Sequence, residues 1–302
     1  MKSESQIMSE LSHKSDYLRE LSPEESAQLK SAILDIYKDV AALCDKYELT
    51  YMMSGGTCLG AVRHQGFIPW DDDLDVMMPR ADYNVLLDLL ENGELGEKYE
   101  YTYPNKSSDA NTVFLKIFRK DSKDVEIHNV TSPFPKGIFM DVFPIDVVPD
   151  SILLQKIKGF FANSIQFISI CRLYTQYPSR QLKEYTNLDS SLKKRYLFKK
   201  VIGTLCGFAP HGKWIYWFDK FVSSSKNGNQ WGIPTGRKYY NGEIFDMDVF
   251  VPVTKGSFEG LQVNLPHQTD KYLRNLYNNY MELPPLEKRE RHFICEFELP
   301  KE

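Results

Sequence analysis

The sequence predicts a mixed α/β core that is interrupted by a helical insertion. Three observations support this fold class: helical and strand-like patterns alternate over residues 22–144, a helical pattern rich in Phe, Ile, Tyr and Lys covers 151–221, and residues 226–302 return to short strands and turns. We therefore expect four regions: a flexible tail at 1–20, a core at 21–150, an insertion at 151–230, and a C-terminal region at 231–302 that packs back on the core.

The first predicted helix begins after Ser22. The run Ser22-Pro23-Glu24-Glu25 combines an N-cap serine, a proline at the first helical position and a glutamate that can complete a capping box. Apolar residues then recur at intervals of three and four up to about Cys44. This amphipathic pattern indicates that one face of the helix packs against the rest of the protein.

A glycine turn connects the next strand to a second helix. Leu49–Met53 is predicted as a strand, Ser54-Gly55-Gly56 as the turn, and Thr57 to about His64 as the helix, which ends at Gly66. The second half of the acidic segment that follows, 71–78, is predicted as a strand. The pattern then predicts a helix at 80–91 that ends at Asn92-Gly93.

The remaining elements are predicted from shorter patterns. Strands are expected at 99–103, 112–119 and 138–143, the last of which ends at Pro144. The helical insertion is expected to break at 177–179 and at 209–212, where prolines occur. The C-terminal region is predicted to contain strands at 245–253 and 260–265, a helix at 269–280, and a closing segment at 284–289.

Composition and charge exclude several classes of protein. The 302 residues are 42% hydrophobic and 26% charged, and the formal net charge of −4 argues against a nucleic-acid-binding surface. The five cysteines lack the spacing of a zinc site, so we expect reduced thiols. The sequence has no signal-like start and no long apolar run. We expect a cytoplasmic protein whose membrane contact, if any, is peripheral and at the inner face of the cytoplasmic membrane.

The glycine turn and three aspartates predict a metal and phosphate site. Glycines before a helix allow a ligand to approach the backbone, and a helix N-terminus favours a phosphate group. Asp73 and Asp75 are two apart on a predicted strand, so their carboxylates should share one face with Cα atoms about 6.5 Å apart. Asp141 supplies a third acid within an apolar segment, where burial requires a cation. Such oxygen ligands suit Mg²⁺ or Mn²⁺.

Simpler interpretations of these acids stay open. The run 71–75 is alternatively a solvated acidic turn, and Asp141 a structural acid in a salt bridge. A calcium-binding EF-hand loop is excluded because Val76 occupies the sixth position, where glycine is needed.

The order of these motifs resembles that of the nucleotidyltransferase superfamily and, more specifically, of the LicD family. The resembling residues run from Ser54 through Val76 to Arg80, and continue in 137–144, 258–260 and parts of 272–289. The match extends from about residue 25 to 292, although 151–230 contributes almost nothing. Family members often have Gly-Asp where this chain has Asn278-Asn279. The resemblance implies a nucleotidyltransferase-like mixed sheet with flanking helices.

The resemblance also implies a reaction. LicD-like enzymes transfer a phosphorylated alcohol, most often phosphocholine from CDP-choline, to a sugar hydroxyl of a cell-surface glycan such as lipopolysaccharide, teichoic acid or capsule, or of a lipid-linked precursor. By this resemblance, Asp73 and Asp75 bind the metal that spans the donor diphosphate, and Asp141 completes the catalytic site. A CDP-ribitol or CDP-glycerol donor, a true nucleotidyltransferase acting on a small molecule, and a non-catalytic binding protein remain alternatives.

Further residues are candidates for donor binding. Those for the phosphates are Ser54, Gly55, Gly56, Thr57, Arg63, His64, Lys116, Arg119, Lys288 and Arg289. A choline headgroup would be held by aromatic faces through cation–π attraction. The candidate walls are Trp70, Trp231, Tyr239 and Tyr240, each of which is alternatively a core residue.

The predicted helix at 152–174 combines cations with a large apolar face. Lys156, Lys158 and Arg172 accompany many Phe, Ile and Leu residues. We expect this face to be buried against a neighbouring helix. The alternative is a helix that rests on a membrane where a lipid-linked acceptor is presented.

Overall fold

The computed structural model describes residues 7, 11, 14–107, 110–285, 289 and 294–300. Helices and strands alternate in the first half of the chain. The elements are α1 (Pro23–Lys46), β1 (Met52–Met53), α2 (Gly55–Arg63), β2 (Asp75–Pro79), α3 (Arg80–Glu91), β3 (Tyr99–Thr102), β4 (Leu115–Arg119), β5 (Lys123–Glu126) and β6 (Phe139–Val148).

Four helices follow β6, and shorter elements complete the described chain. The helices are α4 (Ile152–Gln176), α5 (Arg180–Thr186), α6 (Ser190–Leu205) and α7 (His211–Val222). The C-terminal elements are β7 (Gln230–Gly232), α8 (Tyr239–Gly242), β8 (Ile244–Asp246), a 3₁₀ turn (Met247–Val249), β9 (Thr254–Phe258), β10 (Leu261–Leu265), α9 (Thr269–Tyr277) and β11 (Ile294–Glu298). This mixed α/β architecture with a helical segment confirms the predicted fold class.

A mixed sheet of seven strands carries the core. Its main path has the order β1-β2-β6-β4-β3, and β7 and β8 extend it from the last residues of β6. Strands β2 and β6 are parallel, whereas the other pairs on the path are antiparallel. The ridge of α1 that packs on this sheet is fully buried at Leu29, Ile33 and Ile36. The parallel pairing aligns Asp75, the first residue of β2, with Asp141 of β6.

The start of α1 confirms the predicted capping box. The Ser22 hydroxyl accepts a hydrogen bond from the Glu25 amide at 3.1 Å, and the Glu25 carboxylate accepts one from the Ser22 amide at 3.0 Å. Two amides that the helix cannot satisfy internally are thereby paired.

Several predicted boundaries near the glycine turn are wrong. The predicted strand at 49–53 shortens to β1 because the amides of Leu49 and Thr50 donate to the Cys44 carbonyl and the Asp82 carboxylate instead of to a strand. The helix α2 begins at Gly55, so both glycines lie in its first turn and not before it.

Strand β6 extends through Pro144, where the sequence predicted its end. The pairing with β4 stops at Val142, and Pro144 aligns with Met78 of the parallel strand β2. Proline has no backbone N–H to donate, but no hydrogen bond to β4 is formed beyond Val142. Strand β6 therefore tolerates Pro144.

The C-terminal elements also differ from the prediction. The predicted strand at 245–253 ends at Asp246 and is followed by the 3₁₀ turn. The predicted helix at 269–280 ends at Tyr277, because Asn278 adopts a left-handed backbone conformation with φ of +57°. The predicted strand at 112–119 begins only at Leu115. Strands β5, β7, β9 and β11 were not predicted, since each is a short segment without a clear alternation of apolar residues.

The helical segment is joined to the sheet by a buried ion network. Arg80 binds Asp146 of β6 through two hydrogen bonds of 2.7 and 2.8 Å, and its third nitrogen binds Asp219 of α7 at 2.8 Å. The carboxylates are almost completely buried, so removal of Arg80 would leave two uncompensated charges, at a cost of about 3–5 kcal/mol. This network fixes α7 to the start of α3.

The apolar face of α4 is not covered, contrary to the expectation. Leu153 and Phe160 are each 67% exposed, whereas the opposite face of the helix packs on α6 and α7. In the part of the chain that is described, no helix is long and apolar enough to cross a membrane.

Candidate active site

A cleft of about 320 Å³ lies where the start of α2 and the acidic segment before β2 face α9 and the segment that follows β7. It is lined by residues 54–56, 71–73, 75, Phe143, 235–237, Glu243 and the C-terminal half of α9. A volume of this size is at the lower end of the range for small-molecule sites. The cleft therefore collects the glycine turn and the acidic run that the sequence singled out.

The N-terminus of α2 opens into this cleft. Ser54 has an extended backbone and is the N-cap, and its amide donates to the Asp75 carbonyl at 3.0 Å. The amide of Gly55 donates to the Tyr272 hydroxyl at 3.1 Å. Gly56 and Thr57 carry the remaining first-turn amides, which an α-helix does not satisfy internally. Together with the helix dipole they make a favourable position for an anion.

The two glycines are required by close contacts with carboxylates. Gly55 has a φ of +48°, and a Cβ atom there would lie 3.3 Å from Asp75 Oδ2. A Cβ atom at Gly56 would lie 2.8 Å from Asp71 Oδ2, closer than any stable contact. Any larger residue would push the acids away from the helix N-terminus.

The acidic side chains converge at the mouth of the cleft. Oxygen atoms of Asp71, Asp72 and Asp73 lie within 4.8 Å of one another. Asp75 lines the same cleft as the first residue of β2. Asp73 precedes the strand, so the prediction that Asp73 and Asp75 share a strand face is wrong, although both residues line the cleft. A cluster of carboxylate oxygens fits a hard divalent cation such as Mg²⁺ or Mn²⁺.

Asp141 lies one strand away from Asp75 and is paired with a lysine. Residues 75 and 141 align in the parallel pair β2–β6. The Lys116 ammonium lies 3.1 Å from Asp141 Oδ1 and 3.2 Å from the centre of the Phe139 ring. A buried carboxylate requires a cation, and Lys116 supplies at least part of the positive charge for Asp141. A metal-binding role for Asp141 remains a prediction, and Lys116 is placed to support that carboxylate.

Thr57 fastens α2 to β2. Its hydroxyl accepts a hydrogen bond from the Asp75 amide at 2.8 Å, and its side chain is buried. The structure therefore gives this residue a positioning contact on the backbone of the acidic segment.

Arg63 and His64 lie at the far end of α2, outside the lining of the cleft. Arg63 donates to the carbonyls of Tyr280 and Glu282 at 2.7 and 3.3 Å, so it holds the chain that follows α9. The rings of His64 and Trp70 lie edge to face with their centres 6.5 Å apart. Burial lowers the pKa of the His64 imidazole.

Arg119 and Arg289 are also outside the lining of the cleft. Arg119 pairs with Asp121 at 2.5 Å near the edge of the sheet. The Arg289 guanidinium stacks 4.1 Å above the Trp70 ring. Lys288 lies outside the described residues.

None of the predicted aromatic walls lines the cleft. Tyr240 is 1% exposed and belongs to an apolar cluster with Phe218, so its ring faces are covered. Trp231 packs on Phe250 with ring centres 6.2 Å apart, and Tyr239 is exposed elsewhere. The rings that do line the cleft are Phe143, Tyr272 and Tyr277.

Arg237 is a cleft residue that sequence reasoning missed. Its guanidinium lies 5.3 Å from the centre of the Tyr277 ring, and it lines the same cleft as the acidic segment. Burial, with added repulsion from Asp71 and Asp75, raises the pKa of the Tyr277 hydroxyl, which therefore stays protonated. The Pro-Thr-Gly-Arg turn at 234–237 carries the only local signal, and a turn of this kind does not reveal which residues it faces.

Glu243 holds the turn that carries Arg237. Its carboxylate accepts a hydrogen bond from the Lys238 amide at 2.7 Å, and Gly236 packs directly against it. Burial raises the pKa of Glu243 to about 7. The turn is thus held by a buried acid whose charge changes near neutral pH.

The segment before the acidic run is supported from two sides. The Lys30 ammonium donates to the carbonyls of Ile68 and Pro69 at 3.3 and 3.1 Å. Glu259, at the tip of the β9–β10 hairpin, accepts a hydrogen bond from the Phe67 amide at 2.9 Å. The motif at 258–260, distant in sequence from the glycine turn, therefore acts on the same segment.

Known proteins share this arrangement of motifs. Residues 48–156 match the family described as LicD/FKTN/FKRP, nucleotidyltransferase domain. The chain is 30% identical over 275 residues to the lipopolysaccharide cholinephosphotransferase LicD of Haemophilus influenzae, across 87% of this chain and 93% of that protein. Uncharacterised proteins of Rickettsia typhi and Rickettsia prowazekii are 31% and 35% identical over 111 and 115 residues, which is 36% of this chain and 36% and 42% of those proteins.

Proposed function

Since the chain belongs to the LicD family and is an enzyme of the transferase class, we propose that it moves phosphocholine from CDP-choline to a sugar hydroxyl of a cell-surface glycan or of its lipid-linked precursor. The near full-length relative named as a lipopolysaccharide cholinephosphotransferase supports this choice of group and acceptor. The proposal includes a cytoplasmic location, at the inner face of the cytoplasmic membrane where a lipid-linked acceptor would be presented.

One observation carries the proposal at the level of chemistry. The N-terminus of α2 and the acidic run 71–75 lie side by side in one cleft, which Arg237 also lines. A nucleoside diphosphate donor needs electrostatic stabilisation of its phosphates on several sides, and it brings negative charge that carboxylates alone would repel. The two binding elements together therefore fit a donor diphosphate, and the acids would hold a cation that neutralises its charge.

The acids are proposed to hold Mg²⁺ or Mn²⁺. The candidates are Asp71, Asp72 and Asp73 at the mouth of the cleft, and Asp75 beside the helix N-terminus. When bound, the metal would neutralise charge on the diphosphate in the transition state. Thr57 and Lys30 keep this segment in place through hydrogen bonds to its backbone.

The protein groups of the cleft divide the remaining tasks. The amides of Gly56 and Thr57 and the Arg237 guanidinium bind phosphate oxygens. The acceptor hydroxyl attacks the phosphorus that carries choline, the bond from that phosphorus to the bridging oxygen breaks, and CMP leaves with this oxygen. Asp141, next to Asp75, is proposed to orient the acceptor hydroxyl and to accept its proton.

The choline group needs apolar and aromatic surface. Phe143 and Tyr277 line the cleft and replace the aromatic residues that the sequence suggested. A quaternary ammonium group over such a ring gains about 0.5–2 kcal/mol.

The experiment that tests the proposal measures product formation by the purified chain. CDP-choline, CDP-ribitol, CDP-glycerol and CTP are each supplied with a glycan acceptor, with Mg²⁺ or Mn²⁺ or with a chelator, and CMP and pyrophosphate are separated by chromatography. We expect metal-dependent release of CMP from CDP-choline and transfer of phosphocholine to the glycan. Pyrophosphate release from CTP would instead indicate a nucleotidyltransferase, and CMP from CDP-ribitol or CDP-glycerol alone would identify another donor.

A further inference from the structure

Exposed apolar side chains lie along one side of α4 and one side of α6. We call this surface the apolar face and define it by Leu153, Ile157 and Phe160 of α4 and by Phe198, Val201 and Leu205 of α6. All six side chains are exposed, and Leu205 is 72% exposed. Phe167 of α4 and Phe198 of α6 lie with ring centres 6.2 Å apart, so the two helices contribute to one surface. An exposed apolar patch of this kind marks an interaction site.

Positive charge borders the apolar face. At about 100° per residue, Lys193 falls on one side of the apolar stripe of α6 and Arg195 on the other, while Lys194 extends the stripe towards the N-terminus of the helix. Lys199 and Lys200 lie further round the helix, over the rings of Tyr174 and Tyr196. Neither α4 nor α6 contains an aspartate or a glutamate. An apolar stripe between rows of cations is typical of helices that lie in the headgroup region of a bilayer.

The charge of this region is opposite to that of the rest of the chain. Residues 151–230 contain 13 Lys and Arg residues but 3 Asp and Glu residues, a formal charge of +10, whereas the whole chain has −4. Concentrated positive charge on one region attracts the negative surface of a bilayer with anionic lipids, and the acidic remainder is repelled from it. The distribution therefore orients the protein as well as attracting it.

We propose that the apolar face is a docking surface for a bilayer that contains anionic lipids. Phe and Leu side chains enter the boundary between headgroups and acyl chains, while the flanking lysines and arginines contact the lipid phosphates. A second copy of this chain fits the surface poorly, because a twofold contact would bring two strongly positive regions together.

The docking surface is connected to the cleft. Helix α8 packs against α4 at Gly159, where any side chain would collide with Asn241. The turn with Arg237 precedes α8 and Glu243 follows it, so both cleft residues flank a helix that packs on the docking helix α4. If the proposed function holds, docking would bring the cleft to lipid-linked acceptors, but docking itself rests only on exposure and charge.

Vesicle sedimentation of the full chain tests the proposal without any measurement of activity. Vesicles of phosphatidylcholine alone are compared with vesicles of equal parts phosphatidylcholine and phosphatidylglycerol. We expect binding to the anionic vesicles that decreases as NaCl is raised. Phe198→Ser/Leu205→Ser should lower the partition coefficient about tenfold or more, and Lys193→Glu/Lys194→Glu should do the same.

Matched controls separate docking from general effects. Val85→Ser removes an exposed apolar side chain of α3, and Lys106→Glu/Lys120→Glu reverses two exposed charges of the core; both variants should bind as the unchanged chain does. Thermal unfolding checks that each variant is folded. The proposal is overturned if the chain does not bind anionic vesicles, or if the α6 variants bind like the controls. It is also overturned if light scattering gives twice the chain mass of 35.1 kDa and Phe198→Ser/Leu205→Ser restores the single mass.

Discussion

Asp75 and Asp141 occupy aligned positions in the parallel strands β2 and β6. They are 66 residues apart in the sequence, and the sheet makes them neighbours. Asp75 lines the cleft beside the N-terminus of α2, whereas Asp141 is paired with Lys116. This relationship defines two different tasks for the two acids, which separate substitutions can distinguish.

Asp75→Asn should abolish turnover while the fold is kept. The amide removes a negative charge from the cleft but keeps the size of the side chain, so binding of the cation and of the donor diphosphate weakens. We expect CMP release to decrease about 10²–10³-fold or more, together with loss of the metal-dependent rise in melting temperature that CDP-choline produces. Asp88→Asn, an exposed change on α3, is the control. Normal turnover by the Asp75 variant would remove this residue from the site.

Lys116→Met should destabilise the protein by about 3–5 kcal/mol, because it leaves the buried Asp141 carboxylate without its lysine. The double variant Lys116→Met/Asp141→Asn should recover most of this loss, since no buried charge is left unpaired. Urea unfolding of both variants measures the difference, and Lys106→Met controls for the loss of an exposed lysine. Equal stability of the single and double variants would contradict the pairing.

Arg237→Ala should weaken donor binding without loss of the fold. Hydrogen bonds to a charged group contribute about 1.5–3 kcal/mol, so the Kd for CDP-choline should rise about 10- to 100-fold. Arg237→Lys should keep part of the affinity because the charge remains while the fork of donors is lost. Calorimetric titration gives both values, with Arg274→Ala on the exposed side of α9 as the control. An unchanged affinity in Arg237→Ala would mean that this side chain does not contact the donor.

Glu243→Gln should change how stability depends on pH. The carboxyl has a pKa of about 7 in the folded chain against an ordinary value of 4.5, so the folded state binds more protons than the unfolded state between these values. Its contribution to stability is therefore present in full below pH 4.5 and is lost as the pH rises through 7, by about 3 kcal/mol in total. Glutamine does not titrate and can still accept the hydrogen bond from Lys238.

Unfolding by urea at pH 5 and at pH 8 measures this effect. The free energy of unfolding of the unchanged chain, relative to that of Glu243→Gln, should decrease from pH 5 to pH 8. The exposed Glu97→Gln should show the same pH dependence as the unchanged chain. The same change in the free energy of unfolding with pH in the unchanged chain and in Glu243→Gln would contradict the raised pKa.

Local signals predicted the elements that carry the site. The capping box at Ser22 was visible because its residues are three apart, and the helix that follows Ser54 was visible because glycines and a helical period are adjacent. Boundaries were less predictable. Strand β6 runs through Pro144 because the pairing with β4 ends before it, and such pairing cannot be read from the segment itself.

The candidate site was predicted only on the side that the glycine turn and the acidic run form. Arg63 fits the pattern of a phosphate-binding arginine after a glycine turn, yet its guanidinium donates hydrogen bonds to backbone carbonyls of the chain after α9. Arg237 and Glu243 have no motif, but they line the same cleft. Residues that meet across the cleft are separated by more than 150 positions, so no local spacing reports their contact.

The sequence by itself determined the mixed α/β class, the order of the glycine turn and acids, and the family resemblance, because periodicity, capping and short motifs act between residues a few positions apart. Only the tertiary structure decided that Lys116 pairs with Asp141, that Arg237 enters the cleft, and that the apolar face of α4 and α6 stays uncovered. Which side chains meet, and which faces stay exposed, depends on how distant segments pack, and this packing follows from the burial of the whole core.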